Sequence, residues 1–67
     1  MTDNPLRNRE VIFEFFPVGN VVRVMAMDVQ TMTEVSIQGP KSAPETTLKA
    51  NALKRLEYVM RKKGLIP

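Results

Sequence analysis

The side chains of this chain that could take part in proton transfer are, apart from its basic residues, almost all carboxylates. The 67-residue sequence contains neither cysteine nor histidine, which removes thiolate nucleophiles, disulfides, Cys/His metal sites and the side chain that titrates most readily near neutral pH. The candidate acids beyond the first few residues are Glu10, Glu14, Asp28, Glu34, Glu45 and Glu57. No phosphate-binding glycine loop or nucleophile motif accompanies them. We therefore predict no enzyme activity, cofactor, metal site or small-molecule substrate.

The carboxyl-terminal segment offers a different chemistry, because it is strongly basic. Residues 41–67 carry seven Lys or Arg and two Glu, 7 − 2 = +5, whereas residues 1–40 carry three Arg and five acids, 3 − 5 = −2. Such a potential can attract an anionic partner such as nucleic acid. One aromatic ring with cations at helical spacing could stack on a base while the cations hold phosphates: Lys54, Arg55, Tyr58, Arg61 and Lys62. The alternative is a solvated helix face on which the ring lies over Arg and Lys stems.

Three segments with alternating side chains predict β-strands: residues 11–16, 21–28 and 34–38. A four-residue loop, 17–20, would place Phe15 opposite Val22 and Glu14 opposite Arg23. This register sets apolar side chains against each other and an acid against a base. It also sets Ile12 against Met25.

The second and third strands predict another antiparallel pair. A loop over residues 29–32 would set Ala26 beside Val35 and Val24 beside Ile37. The three strands then form a meander, and one of its faces carries only apolar side chains: Val11, Phe13, Phe15, Val22, Val24, Ala26, Val35 and Ile37.

The last third of the chain predicts one long helix. Ser42 and Glu45 have the spacing of a capping box, and Gly64 would supply a left-handed residue after a helix that ends at Lys63. The apolar residues fall on one stripe at helical spacing: Leu48, Ala52, Leu56, Val59 and Met60. Because a lone three-stranded sheet cannot hide its own apolar face, this stripe should cover it.

The expected fold class is α+β: a three-stranded antiparallel meander covered on one face by a long C-terminal helix. Residues 1–9 are polar and contain Asn4-Pro5, which predicts a flexible leader. Residues 10–67 then form a single βββα domain.

The outer face of the predicted sheet is unusually apolar. Ile12, Phe16, Met25 and Met27 all point there, and one helix cannot bury both faces. Such a patch on a small sheet is typical of a surface covered by another chain. We therefore predict an interaction module that self-associates or docks on a protein partner through this face, with Glu14 and Arg23 at its polar margin. The alternatives are that the leader folds over the patch, or that surface methionines are tolerated.

The chain also resembles a family of very short, uncharacterised alphaproteobacterial proteins that form a domain of unknown function. The resemblance is carried by Val11-Ile12-Phe13-Glu14-Phe15, Pro17-Val18-Gly19, Val22-Arg23-Val24, Thr33-Glu34-Val35-Ser36-Ile37-Gln38-Gly39-Pro40, Ser42-Ala43-Pro44 and Leu53-Lys54-Arg55-Leu56-Glu57-Tyr58-Val59. It implies a compact bacterial protein and assigns no catalytic or binding residue. One departure is Met32, which stands in the second turn where glycine is expected and resists a positive φ.

The amino-terminal residues lack the apolar core of about 7 to 15 residues that a secretory signal needs, so the expected location is the cytoplasm. The apolar stripe of the helix is needed for the core, which argues against a membrane-surface role.

Overall fold

The computed structural model of the chain describes residues 6–67. Three strands form one antiparallel sheet in the order β1-β2-β3, and a single helix follows them. The elements are β1 (Val11–Val18), β2 (Val21–Asp28), β3 (Thr33–Pro40) and α1 (Glu45–Lys62). The helix packs on β2 and β3. The α+β architecture expected from the sequence is confirmed.

The turn between β1 and β2 is shorter than predicted. Gly19 and Asn20 alone connect Val18 to Val21, and Gly19 has a φ of +60°. Glycine at the first central position of a two-residue hairpin loop is the pattern of a type II′ turn, whose twist matches that of the flanking strands. The predicted four-residue loop is therefore wrong, because Pro17 and Val18 extend the strand instead of leaving it.

The shorter turn moves the β1–β2 register by two residues. Phe15 lies opposite Val24 instead of Val22. Because side chains alternate with a period of two, a shift of two residues keeps every side chain on its predicted face while changing its partner.

The predicted cross-strand pairs on the outer face are consequently wrong. Glu14 lies opposite Met25, Arg23 lies opposite Phe16, and Ile12 lies opposite Met27. The ion pair expected between Glu14 and Arg23 is absent from the described residues, where the Arg23 Nη2 donates a long hydrogen bond of 3.5 Å to the Ser36 Oγ.

The register between β2 and β3 is the predicted one. Ala26 lies opposite Val35 and Val24 opposite Ile37, with residues 29–32 as the loop. Met32 has a φ of +59°. The turn thus keeps the left-handed geometry for which glycine is suited, although a methionine occupies the position.

The start of α1 differs from the predicted capping box. The helix begins at Glu45, its N-cap is Pro44, and no side chain caps it. The amides of Thr47 and Leu48 instead donate to the Pro44 carbonyl, each at 3.1 Å. The capping box is wrong because Ser42 lies two residues before the N-cap, beyond the position from which a side chain caps a helix.

The end of α1 is the predicted glycine stop. Gly64 has a φ of +73°. Its amide donates to the Arg61 carbonyl at 3.0 Å, and the Leu65 amide donates to the Met60 carbonyl at 2.9 Å. These two bonds form a Schellman motif, which satisfies carbonyls left free in the last turn.

The core lies between α1 and the inner face of the sheet. The predicted helix stripe is confirmed, since four of its residues are buried and Val59 packs against them. The predicted inner face is confirmed as well, with Val24 and Ala26 completely buried. Two buried residues from outside the predicted elements, Leu6 and Ile66, complete the core.

Part of the predicted leader belongs to this folded unit. Residues 1–5 lie outside the described part of the chain. Leu6 is buried in the core on the helix side of the sheet, and Arg9 forms an ion pair with Asp28 at 3.1 Å. Of the predicted leader, Leu6 and Arg9 therefore contact the domain, and Leu6 packs away from the outer face. The flexibility of the leader stays a prediction.

Replacing Met32 with glycine should stabilise the fold. Met32 is 69% exposed, so Met32→Gly loses little burial and removes the strain of a left-handed methionine, which should raise the free energy of unfolding by about 0.5–1 kcal/mol. Urea unfolding at equilibrium measures the change. The control is Gln30→Gly in the same loop, where φ is not positive and the added backbone freedom should destabilise by about 0.5 kcal/mol. Equal destabilisation by Met32→Gly and Gln30→Gly would contradict the proposed backbone strain at Met32.

Candidate functional site

The outer face of the sheet, which faces away from α1, is formed by alternate residues of the three strands. Its three rows nearest the β2–β3 loop are Ile12–Met27–Glu34, Glu14–Met25–Ser36 and Phe16–Arg23–Gln38, and the row at the hairpin end is Val18–Val21–Pro40. The four apolar residues predicted to share a face do share it. Their role as an interface stays a prediction.

Large apolar side chains are open to solvent on this face. The exposed fractions are 40% for Ile12, 44% for Phe16, 65% for Val18 and 39% for Val21, whereas Met25 and Met27 are half-buried. We call these six residues the outer apolar patch.

The outer apolar patch runs diagonally across β1 and β2. Met27 lies directly opposite Ile12, and Met25 is diagonal to both Ile12 and Phe16, which is within reach of long side chains. Glu14 and Arg23 interrupt the patch from opposite strands, so an acid and a base lie within an apolar surface. The β3 side of the face is polar.

Val18 and Val21 belong to the patch but were not among its predicted residues. The sequence analysis placed Val18 in the turn, and it placed Val21 at the start of the second strand without assigning it to the patch. The signal that could have found them is the Gly19-Asn20 pair between two valines. A two-residue hairpin loop places the residues that flank it directly opposite each other.

On the basic face of α1, the Tyr58 ring contacts Arg and Lys side chains of the same helix. The Tyr58 ring has the Arg55 Cζ and the Lys62 Nζ each 5.6 Å from its centroid. The Lys62 Nζ also donates to the Tyr58 Oη at 3.5 Å. Two cation–π contacts thus use the ring on which a base would have to stack.

Arg61 is also engaged within the chain. Its Nη2 lies 2.9 Å from the Glu57 Oε1, one helical turn earlier, and its Nε donates to the Pro67 carbonyl at 3.0 Å. Lys54 is exposed. Nucleic-acid binding by these residues stays a prediction.

The sequence analysis missed a buried polar cluster at the end of the sheet next to the β2–β3 loop. Asp28 ends β2 on the inner face and is completely buried. Its Oδ2 accepts from the Thr31 amide at 3.0 Å, the Thr31 hydroxyl at 2.7 Å and the Arg9 Nη1 at 3.1 Å. The Thr31 hydroxyl also accepts from Thr33 at 2.8 Å. The sequence signal is an Asp three residues before a Thr, since short polar side chains bond to nearby backbone in turns.

These contacts decide the charge of Asp28. Burial by itself would raise the pKa of the carboxyl group, because it disfavours the ionised form, but the Thr31 hydroxyl, the Thr31 amide and the Arg9 guanidinium outweigh it. The pKa of Asp28 therefore lies below its ordinary value of 3.8. The carboxylate ties Arg9, which precedes β1, to the β2–β3 loop.

Within residues 6–67, no three or more Asp or Glu side chains come together as metal ligands would. In the same residues, α1 is too polar to cross a lipid bilayer.

A comparison with protein families matches residues 8–63 to a family described as "Domain of unknown function (DUF6898)". The match spans most of the chain, from the residues before β1 to the residue after α1. Neither the curated proteins nor the solved structures gave a significant match.

The Asp28 cluster should make stability depend on acid pH. Because the folded state lowers the pKa of this carboxyl, its stabilising contribution is complete above the ordinary value of 3.8 and is lost as the pH falls through the lower, folded pKa. Asp28→Asn should lower the free energy of unfolding by about 1–3 kcal/mol at neutral pH. The deficit should shrink below pH ~4. Urea unfolding of both proteins across this range tests the assignment, and a deficit that stays constant with pH would contradict it.

Proposed function

Because the chain belongs to the DUF6898 family, a domain of unknown function, we propose its function from its own surface. It is a small non-enzymatic interaction module that self-associates or docks on a protein partner through the outer apolar patch.

The observation that carries this proposal is the exposure of four large apolar side chains on one open face: Ile12, Phe16, Val18 and Val21. Single exposed apolar residues are ordinary, but several large ones on one face are typical of a protein–protein contact. The only helix of the described chain covers the opposite face, and Leu6 packs on the helix side. None of the described residues is therefore left to cover the patch.

The composition of the patch suits docking. Phe and Met are enriched in the buried centres of protein interfaces. Methionine is flexible and polarisable, so Met25 and Met27 can adapt to the shape of a partner surface.

Glu14 and Arg23 would set the orientation of the docked chain. They flank the centre of the patch and lack an ion-pair partner among the described residues. Complementary charges at such positions increase specificity and the rate of association more than affinity.

The proposal includes the cytoplasm of a bacterium, of the alphaproteobacterial kind that the sequence pattern resembles. The absence of cysteine from all 67 residues is consistent with a reducing compartment, where disulfides do not contribute to stability.

The outer apolar patch can be tested with one added charge. Met25→Lys places an ammonium at the centre of the patch and should abolish association through the patch while the domain stays folded, because Met25 lies on the face away from the core. Ala50→Lys, which adds the same charge at an exposed position of α1, is the control. Sedimentation gives the mass of each purified protein, and circular dichroism checks its fold. Retention from a nuclease-treated host extract identifies any protein that binds the parent and the control alike.

A lower mass in sedimentation for Met25→Lys, or the loss of a retained partner protein, supports the proposal if Ala50→Lys shows neither change. Folded Met25→Lys that keeps the mass and the partners of the parent would refute it. If Met25→Lys still retains a ligand, and this binding falls steeply between low and physiological salt, the result would instead indicate nucleic-acid binding by the basic helix. Counterion release makes phosphate binding depend on salt in this way.

A further inference from the structure

The backbone of β1 has unpaired groups along its whole outer edge. The Val29 amide donates to the Glu10 carbonyl at 3.1 Å, in line with the β1–β2 register, so the even-numbered residues of β1 bond to β2. The N–H and C=O groups of Val11, Phe13 and Phe15 therefore point away from β2. No strand of the described chain lies beyond them, since β1 is an edge of the sheet.

The two edges of the sheet differ in character. By the same alternation, the free backbone groups of β3 belong to Glu34, Ser36 and Gln38, whose side chains are polar and exposed. Polar and charged side chains protect an edge from pairing, whereas a long apolar edge invites it. Within β1, Glu14 is the only charged residue.

The inner side of β1 is also incompletely covered. The helix packs on β2 and β3, and Phe13 and Phe15 are only half-buried. An open cleft of about 290 Å³ beside the start of α1 is lined by Phe15, Pro17, Val22 and Leu48, among others. A partner strand at this edge would cover both phenylalanines as well as pair the backbone.

We propose that β1 pairs antiparallel with β1 of a second copy about a twofold axis, which joins two sheets into one of six strands. An identical strand supplies the same free donors, acceptors and apolar side chains, and a twofold contact closes without forming a fibre. The edge is a different surface from the outer apolar patch, so this inference does not depend on the proposed function. Paired in this way, the two outer faces lie side by side.

The charges and the proline select one register. With Phe13 on the twofold axis, Val11 pairs with Phe15 of the second copy, and Glu14 faces Ile12 of the second copy. A shift of the pairing by one step toward the hairpin sets Glu14 against Glu14 and brings Pro17, which has no N–H, into the ladder. A shift by one step the other way sets Glu14 against Glu10. Like charges directly opposite each other are destabilising, so of these three registers the one centred on Phe13 alone avoids both faults.

Amide hydrogen exchange of the purified parent protein tests the pairing directly. At concentrations where sedimentation shows a dimer, the amides of Val11, Phe13 and Phe15 should exchange about tenfold or more slowly than in the diluted monomer. The amides of Glu34, Ser36 and Gln38 on the other edge serve as internal controls and should not change. A dimer whose β1 amides stay unprotected, or a strict monomer at millimolar concentration, would overturn the proposal.

The register is tested by disulfide trapping, since the chain has no cysteine of its own. In the proposed register, residues 12 and 14 of the two copies form a non-hydrogen-bonded pair with Cα atoms about 4.5 Å apart, within disulfide range. The double variant Ile12→Cys with Glu14→Cys should therefore oxidise to a covalent dimer, and Glu14→Cys alone should not. Efficient crosslinking of Glu14→Cys alone would overturn this register. Because Met25→Lys leaves the edge intact, it should keep the protected β1 amides even if it loses a docked partner, so the two proposals can fail separately.

Discussion

The structure depends on an imbalance between one helix and a sheet with two apolar faces. The stripe of α1 that includes Leu56 and Met60 covers the inner face over β2 and β3, and residues 6–67 contain no second helix for the other face. A small domain already buries a modest fraction of its surface. Because β1 and β2 carry large apolar side chains on both faces and the helix covers only one face, apolar area on the other face stays exposed.

The imbalance is concentrated in β1. This strand has an apolar outer face, half-buried phenylalanines on its inner face, and a free backbone edge. β3 has a polar outer face, and α1 lies over its inner face. At the end of the sheet next to the β2–β3 loop the contacts are polar, because Asp28 binds both Arg9 and Thr31 of the loop. Among the described residues, β1 thus has exposed apolar side chains and an unpaired edge, and it is here that we propose a second chain binds.

The sequence predicted the face on which each side chain lies better than it predicted the cross-strand partner of each residue. Alternation assigned the residues of the predicted strands to their correct faces, since an error of two residues in register leaves faces unchanged. It could not choose between a two-residue and a four-residue turn, because Pro17 and Val18 are compatible with either, so the Glu14–Arg23 pair was wrong. The Asp28 cluster was missed because its partners, Arg9 and Thr31, lie in segments without periodicity. Leu6 was missed for the same reason.

Solvent accessibility of methyl groups in the assembled protein tests most directly whether the outer face is an interface. Ile12, Val18, Val21, Met25 and Met27 each carry methyl groups that NMR can resolve, and a soluble paramagnetic probe broadens those that face water. In concentrated protein, or after addition of nuclease-treated host extract, these methyls should become protected while those of Leu65, which is 39% exposed away from the sheet's outer face, stay accessible. Unchanged broadening of the patch methyls under both conditions would contradict the account.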